Sequence, residues 1–446
     1  MGRSAAEPVR RASYGPRSPA VGERGSQTRQ AILDAAIKTF QAQGVHAPGV
    51  EDIADAAGVS RATLYQYFAS KDQIFAELAD AAAGELLGVI RRPARLGPTA
   101  AGYAGLVRLL SDWAAVQDRY QALSLQWAVI DSPGAAPGPD VAGYIVAYVS
   151  ALTTWLGPLV AADPSGAAAS GPDAAELATV LLPLLFRVND YRERGVDRGL
   201  PDAELLASVA AFVQLALFPS TPPGVIPARG VPVEVGAQAQ DDPGETVPAP
   251  PEPPPTVRRI LDAGAAVFAA RGYHAASVQD VLTAAGAGRG TFYRHFDGKG
   301  DLLVQLSRAC LADLLAQVGR FAAAARDPAG LRGWLAESFA LYRRYRGVFR
   351  ALVPERASHP ELEELRAQSL ATIFRSFDGA LAGAVRGLDP QAGSLILLSL
   401  LERGPGYCFG TRYDLTDDRA VEIVAVLIER GLLGYFYKTG LDYAGD

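Results

Sequence analysis

The chain has 446 residues, 49% of them apolar and 20% charged, with a formal net charge of −6. That length exceeds one ordinary core and suits two or more globular units, while the composition excludes a largely disordered chain. The negative balance excludes a globally basic protein that coats polyanions, so any nucleic-acid surface has to be a local patch.

Residues 1–26 are rich in Arg, Ser, Pro and Gly, lack the apolar run of a signal peptide, and read as a flexible basic arm. Next, Ile32, Leu33, Ala36 and Phe40 recur at the spacing of a core-facing helical stripe, which Gly44 ends. A short second helix is predicted over Val50 to Ala57, with Ile53 inward and Gly58 as its stop, and a third reads SRATLYQYF. Two short helices joined by a glycine turn follow the helix-turn-helix plan, which places such a domain over 27–75.

Residues 76–218 read as a helical module, with helices over Tyr103 to Ile130, Val141 to Val160, Asp173 to Arg194 and Ala203 to Phe218. The longest apolar run, Leu177 to Phe186, contains Pro183 and falls short of the roughly 18 residues a membrane span needs, so no membrane partner is expected. From Pro219 to Pro255 prolines are too dense for a helix or a central strand, and the segment reads as a linker.

Beyond the linker the pattern returns. A shift of 228 aligns Thr28–Phe75 with Thr256–Leu303 without a gap, and 20 of the 48 positions are identical, where chance gives about three or four. Ile260, Leu261, Gly264 and Phe268 repeat the first stripe, Gly272 and Gly286 repeat the stops, and the third helix reads GRGTFYRHF. A second helix-turn-helix domain over 256–303 is therefore expected. A second helical module over 304–440 follows it, with helices over Asp301 to Ala325, Leu331 to Val353, Glu361 to Arg386, Gln391 to Arg403 and Thr416 to Tyr437. The expected fold class is all-α: two tandem units, each a three-helix head followed by a helical bundle. The two cysteines, Cys310 and Cys408, have no CxxC spacing and frame no disulfide scaffold, which fits a reducing cytoplasm.

The run IADAAGVSRATLYQYFASKDQI resembles the DNA-binding signature of the TetR (tetracycline-repressor) family, and VLTAAGAGRGTFYRHFDGKGDL resembles a second, more divergent copy. The likeness covers the two heads; the rest of each half is similar in helical character only. It implies a cytoplasmic, nucleoid-associated transcriptional regulator, most often a repressor. Double-stranded DNA and a small-molecule effector would be its partners, with no cofactor, no metal and no catalytic residues. In this architecture the third helix lies in the major groove while neighbouring groups hold phosphates.

The resemblance then assigns DNA-facing roles to Ser60, Arg61, Thr63, Tyr65, Gln66, Tyr67 and Lys71, and to Ser277, Arg289, Thr291, Tyr293, Arg294, His295 and Lys299. Arg61 and Arg289 suit phosphate or guanine, and Thr63 and Thr291 suit phosphate or a thymine methyl. Tyr65 and Tyr293 either pack on their head with the hydroxyl at phosphate or read bases. Lys71 and Lys299 match the family lysine that meets the DNA backbone. The copies differ at Gln66 against Arg294, which favours adenine in one and guanine in the other, and at Tyr67 against His295. Gly49 and Gly288 stand where hydroxyl caps are usual, so each copy keeps one cap, Ser60 or Ser277. Phe68 and Phe296 read as core, and His46 and His274 as local packing or phosphate-proximal groups.

Tyr103, Trp113, Tyr120, Trp127, Tyr144 and Trp155, with Phe339, Tyr342, Tyr345, Phe374, Tyr407 and Phe409, can line an effector pocket, although core is the better expectation for any one of them. Four scattered histidines and no recurring acid pair supply no catalytic constellation. The competing class is an interaction protein that has lost DNA binding, suggested by the missing cap and by Asp297 and Asp301 beside Lys299. By the resemblance, the last two helices of each module pair with those of a partner. A linker of 37 residues reaches about 30 to 36 Å as a coil, so a single-chain pseudo-dimer is favoured over a homodimer carrying four heads.

Overall fold

A computed structural model describes residues 23–45, 47–92, 96–123, 141–161, 171–196, 198–227, 253–351, 360–382, 388–408 and 416–434. All regular elements among them are helical, in keeping with the all-α expectation. Most of the arm and linker, together with His46, Trp127 and Phe409, lies outside the described residues, as does the side chain of Tyr407. The chain divides into two compact units, Met1–Arg92 with Ser111–Ala151, and Pro93–Leu110 with Leu152–Asp446.

The first unit opens with α1 (Glu23–Gln43), α2 (Val50–Ala56) and α3 (Arg61–Tyr67). Helix α1 begins inside the stretch that composition marks as arm. Its stripe Ile32, Leu33, Ala36 and Phe40 is buried, as are Ile53, Leu64 and Phe68, so the 3.6-residue period turns one apolar face of each short helix inward. The guanidinium of Arg29 lies over the Phe68 ring at 4.7 Å and pairs with Glu77. Ser70 caps α4 (Lys71–Arg91) by accepting the Gln73 N–H at 3.2 Å. One face of α4 buries Ile74 and Leu78 and then Ala82, Ala83, Leu86 and Ile90. α5 (Ala100–Arg119) and α6 (Val141–Ala161) follow, of which residues 111–119 and 141–151 belong to this unit. Within the first unit Tyr148 donates to the Ala83 carbonyl at 3.3 Å and Trp113 meets Tyr148 edge-on at 6.4 Å. Glu85 on α4 accepts from Tyr120 and Arg119, each at 2.8 Å, and burial together with Glu85 pushes the Tyr120 hydroxyl up to about 12.

The second unit holds α7 (Ala174–Glu193) and α8 (Asp202–Leu217). It also holds α9 (Pro255–Arg271), α10 (Val278–Ala285), α11 (Arg289–Tyr293), α12 (Lys299–Gly319), α13 (Phe321–Ala324), α14 (Pro328–Ala351), α15 (Pro360–Leu381), α16 (Pro390–Cys408) and α17 (Asp417–Ile428). Helix α17 runs into a π turn over Glu429–Leu433. Its second head buries Ile260, Phe268, Val281, Phe292, Phe296 and Leu302, and Tyr345 and Val348 of α14 join the same core. Cys310 is buried there, and burial pushes its thiol far up. By length and composition the helical stretch Lys299–Ala324 can cross a membrane; its Leu302, Leu303 and Leu306 are core residues of the head. Asp313, which the 228-residue shift matches to Glu85, accepts from Tyr345 at 2.8 Å and pairs with Arg344 at 3.5 Å. The same Arg-Tyr pair on one carboxylate thus recurs in each half.

Helices α7 and α8 come from the first half of the chain, yet they pack on α16 and α17 of the second. Leu181, Phe212 and Leu215 from one side and Leu395, Leu398, Ile423 and Leu427 from the other are buried. Glu402 accepts from Arg187 at 2.6 Å and from Tyr191 at 2.7 Å. Arg419 grips Glu176 with two hydrogen bonds, at 2.6 and 2.5 Å, and Arg198 pairs with Asp378 at 2.7 Å.

Candidate nucleic-acid interface

Each head presents its third helix from the same local device. In the turn before it, Gly58 and Gly286 take φ of 66° and 59°, where a side chain is strained. In the first head Ser60 caps α3: its oxygen accepts the Thr63 N–H at 3.0 Å and lies 2.8 Å from the Thr63 hydroxyl. In the second head Gly288 offers no side chain to α11, while Ser277 caps α10 by accepting the Asp280 N–H at 3.2 Å. The Asp280 carboxylate, hydrogen-bonded by Ser277, is held below its ordinary range. Gly49 lacks a cap oxygen, but Asp52 reaches back to its N–H at 2.7 Å, so part of the box survives the substitution.

Arg61, Gln66, Arg289, Tyr293, Arg294 and His295 are exposed, and Thr63, Tyr65 and Thr291 are half-buried. Tyr67 is buried at 8% exposure. The difference from His295 follows helix length: α3 reaches Tyr67, whereas α11 ends at Tyr293. Gly290 replaces Ala62 and the Ser60 cap is gone; glycine costs about 1 kcal/mol relative to alanine in a helix, and α11 is correspondingly shorter.

Two partners of these residues are invisible in any local pattern. Arg61 is ion-paired with Glu51, and Tyr65 and Glu51 together push the arginine's pKa further up. At the equivalent place in the second head the carboxylate is absent, and Arg289 donates to Gln279 at 3.3 Å. The lysines also sit alike. The Lys71 ammonium donates to the Pro48 carbonyl at 2.9 Å. The Lys299 ammonium donates to the equivalent Ala276 carbonyl at 2.9 Å, to Tyr273 at 2.8 Å and to His274 at 3.2 Å, and lies over the Tyr273 ring at 4.6 Å. Partial burial pushes the Lys299 pKa down. Both ammonium groups therefore fasten the loop between the first two helices of their head.

The family model described as "Bacterial regulatory proteins, tetR family" matches residues 32–78 and 260–306. Over 56 residues the chain is 41% identical to the HTH-type transcriptional regulator AcrR of Shigella flexneri, covering 13% of this chain and 26% of that protein. It is 48% identical over 59 residues to the putative mycofactocin biosynthesis transcriptional regulator MftR of Mycobacterium tuberculosis, covering 13% and 30%. It is 34% identical over 87 residues to the HTH-type transcriptional activator FasR of Mycolicibacterium smegmatis, covering 18% and 40%. The matches thus span 26 to 40% of the length of these curated relatives. Residues 32–78 and 260–306 each match the model of the tetR family of bacterial regulatory proteins, so two heads of that family, built on the same glycine turn and lysine clamp, stand in tandem in this chain.

Proposed function

We propose that the protein is a DNA-binding transcriptional regulator, a ligand-responsive repressor that places two non-identical heads on one asymmetric or pseudo-palindromic operator. The observation that carries this reading is the pairing of α7–α8 with α16–α17 inside one chain, which joins first-half helices to second-half helices where a family homodimer would use two copies. The heads offer Arg61, Thr63, Tyr65 and Gln66 on one side and Arg289, Thr291, Tyr293, Arg294 and His295 on the other as groove-facing groups, with Ser60 and Ser277 at the helix ends near phosphate. Half-sites about 34 to 36 Å apart fit two such heads. A small-molecule effector acting through the helical modules would release the DNA.

Footprinting on the intergenic DNA upstream of the gene tests the reading. One protected, asymmetric site that weakens as salt rises is expected, with light scattering at 46.9 kDa for the free protein. No protection at any salt overturns DNA binding, and a free species of twice that mass overturns the single-chain form. Since the FasR relative is an activator, transcription from the protected promoter decides the sign: repression gives less transcript when the protein is added.

A further inference from the structure

The joint between α7–α8 and α16–α17 can be compared with itself, because its two sides are related in sequence. Asp173 accepts the Ala175 and Glu176 N–H groups at 2.8 and 2.9 Å, and Asp389 accepts those of Gln391 and Ala392 at 2.8 and 3.2 Å. With LPLLFR at 182–187 against LSLLER at 398–403, a shift of 216 relates α7 to α16. Leu200-Pro201-Asp202 against Leu415-Thr416-Asp417, and VAAF at 209–212 against VAVL at 424–427, relate α8 to α17 by 215. In a symmetric pair of like halves, a contact between positions i and j occurs twice, once in each direction. The contacts seen in this joint therefore tell what each half would meet in a second copy of itself.

Three contacts change character under that exchange. Glu176 meets Arg419; the first-half residue at the place of Arg419 is Glu204, so a first-half pair would set Glu176 against glutamate. Phe212 lies against Gly431, where a Cβ would come within 2.4 Å of its ring; the first-half residue there is Ala216, which carries that Cβ. Arg187, with 18% of its side chain exposed, meets Glu402; the first-half residue there is Phe186, which would deprive a desolvated guanidinium of one carboxylate. Pairing two second halves sets Arg419 against Ala392 and Leu427 against Gly431, losing one ion pair and leaving a gap, although Glu402 would then face the arginine at 403.

We infer that the α7–α8 surface is built for one partner, a second-half α16–α17 surface, and rejects a second copy of itself through Glu176/Arg419, Phe212/Gly431 and Arg187/Glu402. The inference rests on the single-chain reading and deepens it. Internal duplication alone would leave like halves free to pair between chains, and these substitutions direct each half to the other.

Charge exchange in the full chain tests it. R187E places Glu against Glu402, and E402R places Arg against Arg187, so each variant alone should melt lower than the wild type. The double variant R187E/E402R should regain most of the lost melting temperature at 46.9 kDa. Unfolded and refolded together, the two single variants complement each other only across chains, and a 1:1 species of twice 46.9 kDa is expected. The less buried pair E176R and R419E, mixed in the same way, serves if the first pair folds poorly. No recovery in either double variant and no 1:1 species in either mixture overturns the inference, as does a like-with-like dimer of a single variant. A wild type already at twice 46.9 kDa overturns the single-chain reading instead, and recovery in the double variants then still reports the choice of partner.

Discussion

At the scale of single residues, the two lysines and the two arginines divide differently from what composition suggests. Lys71 and Lys299 are two of four lysines in the chain, and both tie down a loop carbonyl at matching positions. Hydrogen bonds from a charged donor contribute about 1.5 to 3 kcal/mol, less where water reaches them. Lys71→Ala and Lys299→Ala should each lower the melting temperature, because each ammonium ties down a carbonyl of its head's loop. For each variant the slope of log affinity against log salt should change by less than the roughly one unit that a lost phosphate contact produces. A full unit per lysine would assign them to DNA. Arg61 differs from Arg289 by the carboxylate of Glu51. An exposed pair restrains its arginine weakly and is screened by salt, so Glu51→Gln should tighten DNA binding a few-fold at low salt, with the gain fading as salt rises. No gain at low salt would show that Glu51 does not restrain Arg61.

At the scale of elements, the joint and the paired clasps hold helices from distant parts of the chain. Tyr345 on Asp313 and Tyr120 on Glu85 fasten each Arg-Tyr pair to the helix that follows the head. Tyr345→Phe should cost about 1 kcal/mol, read as a lower denaturation midpoint. In the joint, the hydrogen bonds from Arg419 lower the Glu176 pKa below its ordinary 4.5. A carboxylate whose folded pKa is depressed contributes its full stability above the ordinary value and loses it as pH falls through the folded value. The melting temperature should therefore drop on acidification below pH 4.5, and Glu176→Gln should flatten that part of the drop; an unchanged acid limb would place the sensitivity elsewhere.

At the scale of the whole molecule, a net charge of −6 leaves DNA affinity to local patches, and the heads are unequal in what they offer. The second exposes Arg294 and His295 where the first exposes Gln66 and buries Tyr67. An arginine or lysine with two hydrogen bonds to guanine discriminates by about 1 to 3 kcal/mol. Arg294→Ala should relax base preference in one half-site and leave the other unchanged, measured by selection from randomised duplexes. Equal relaxation in both halves would mean that the heads are not assigned to separate half-sites.

The heads were legible from residues alone because their determinants are local: a stripe at helical spacing, a glycine stop and a cap oxygen lie within a few turns of one another, and the whole set returns 228 residues later. Packing decided two further points: α1 starts at Glu23, inside the stretch read as arm, and Tyr67, expected to face DNA, is buried, since helix limits and side-chain burial depend on packing as much as on composition. The resemblance implies that the last two helices of each module pair, but the residue contacts of the joint were not legible. Arg187 finds Glu402, and Arg419 finds Glu176, across more than two hundred residues, and no periodicity marks which charges will meet. Burial against a partner decides that choice, so local sequence determined what each head is, and only tertiary packing decided which side chains meet where the two halves join.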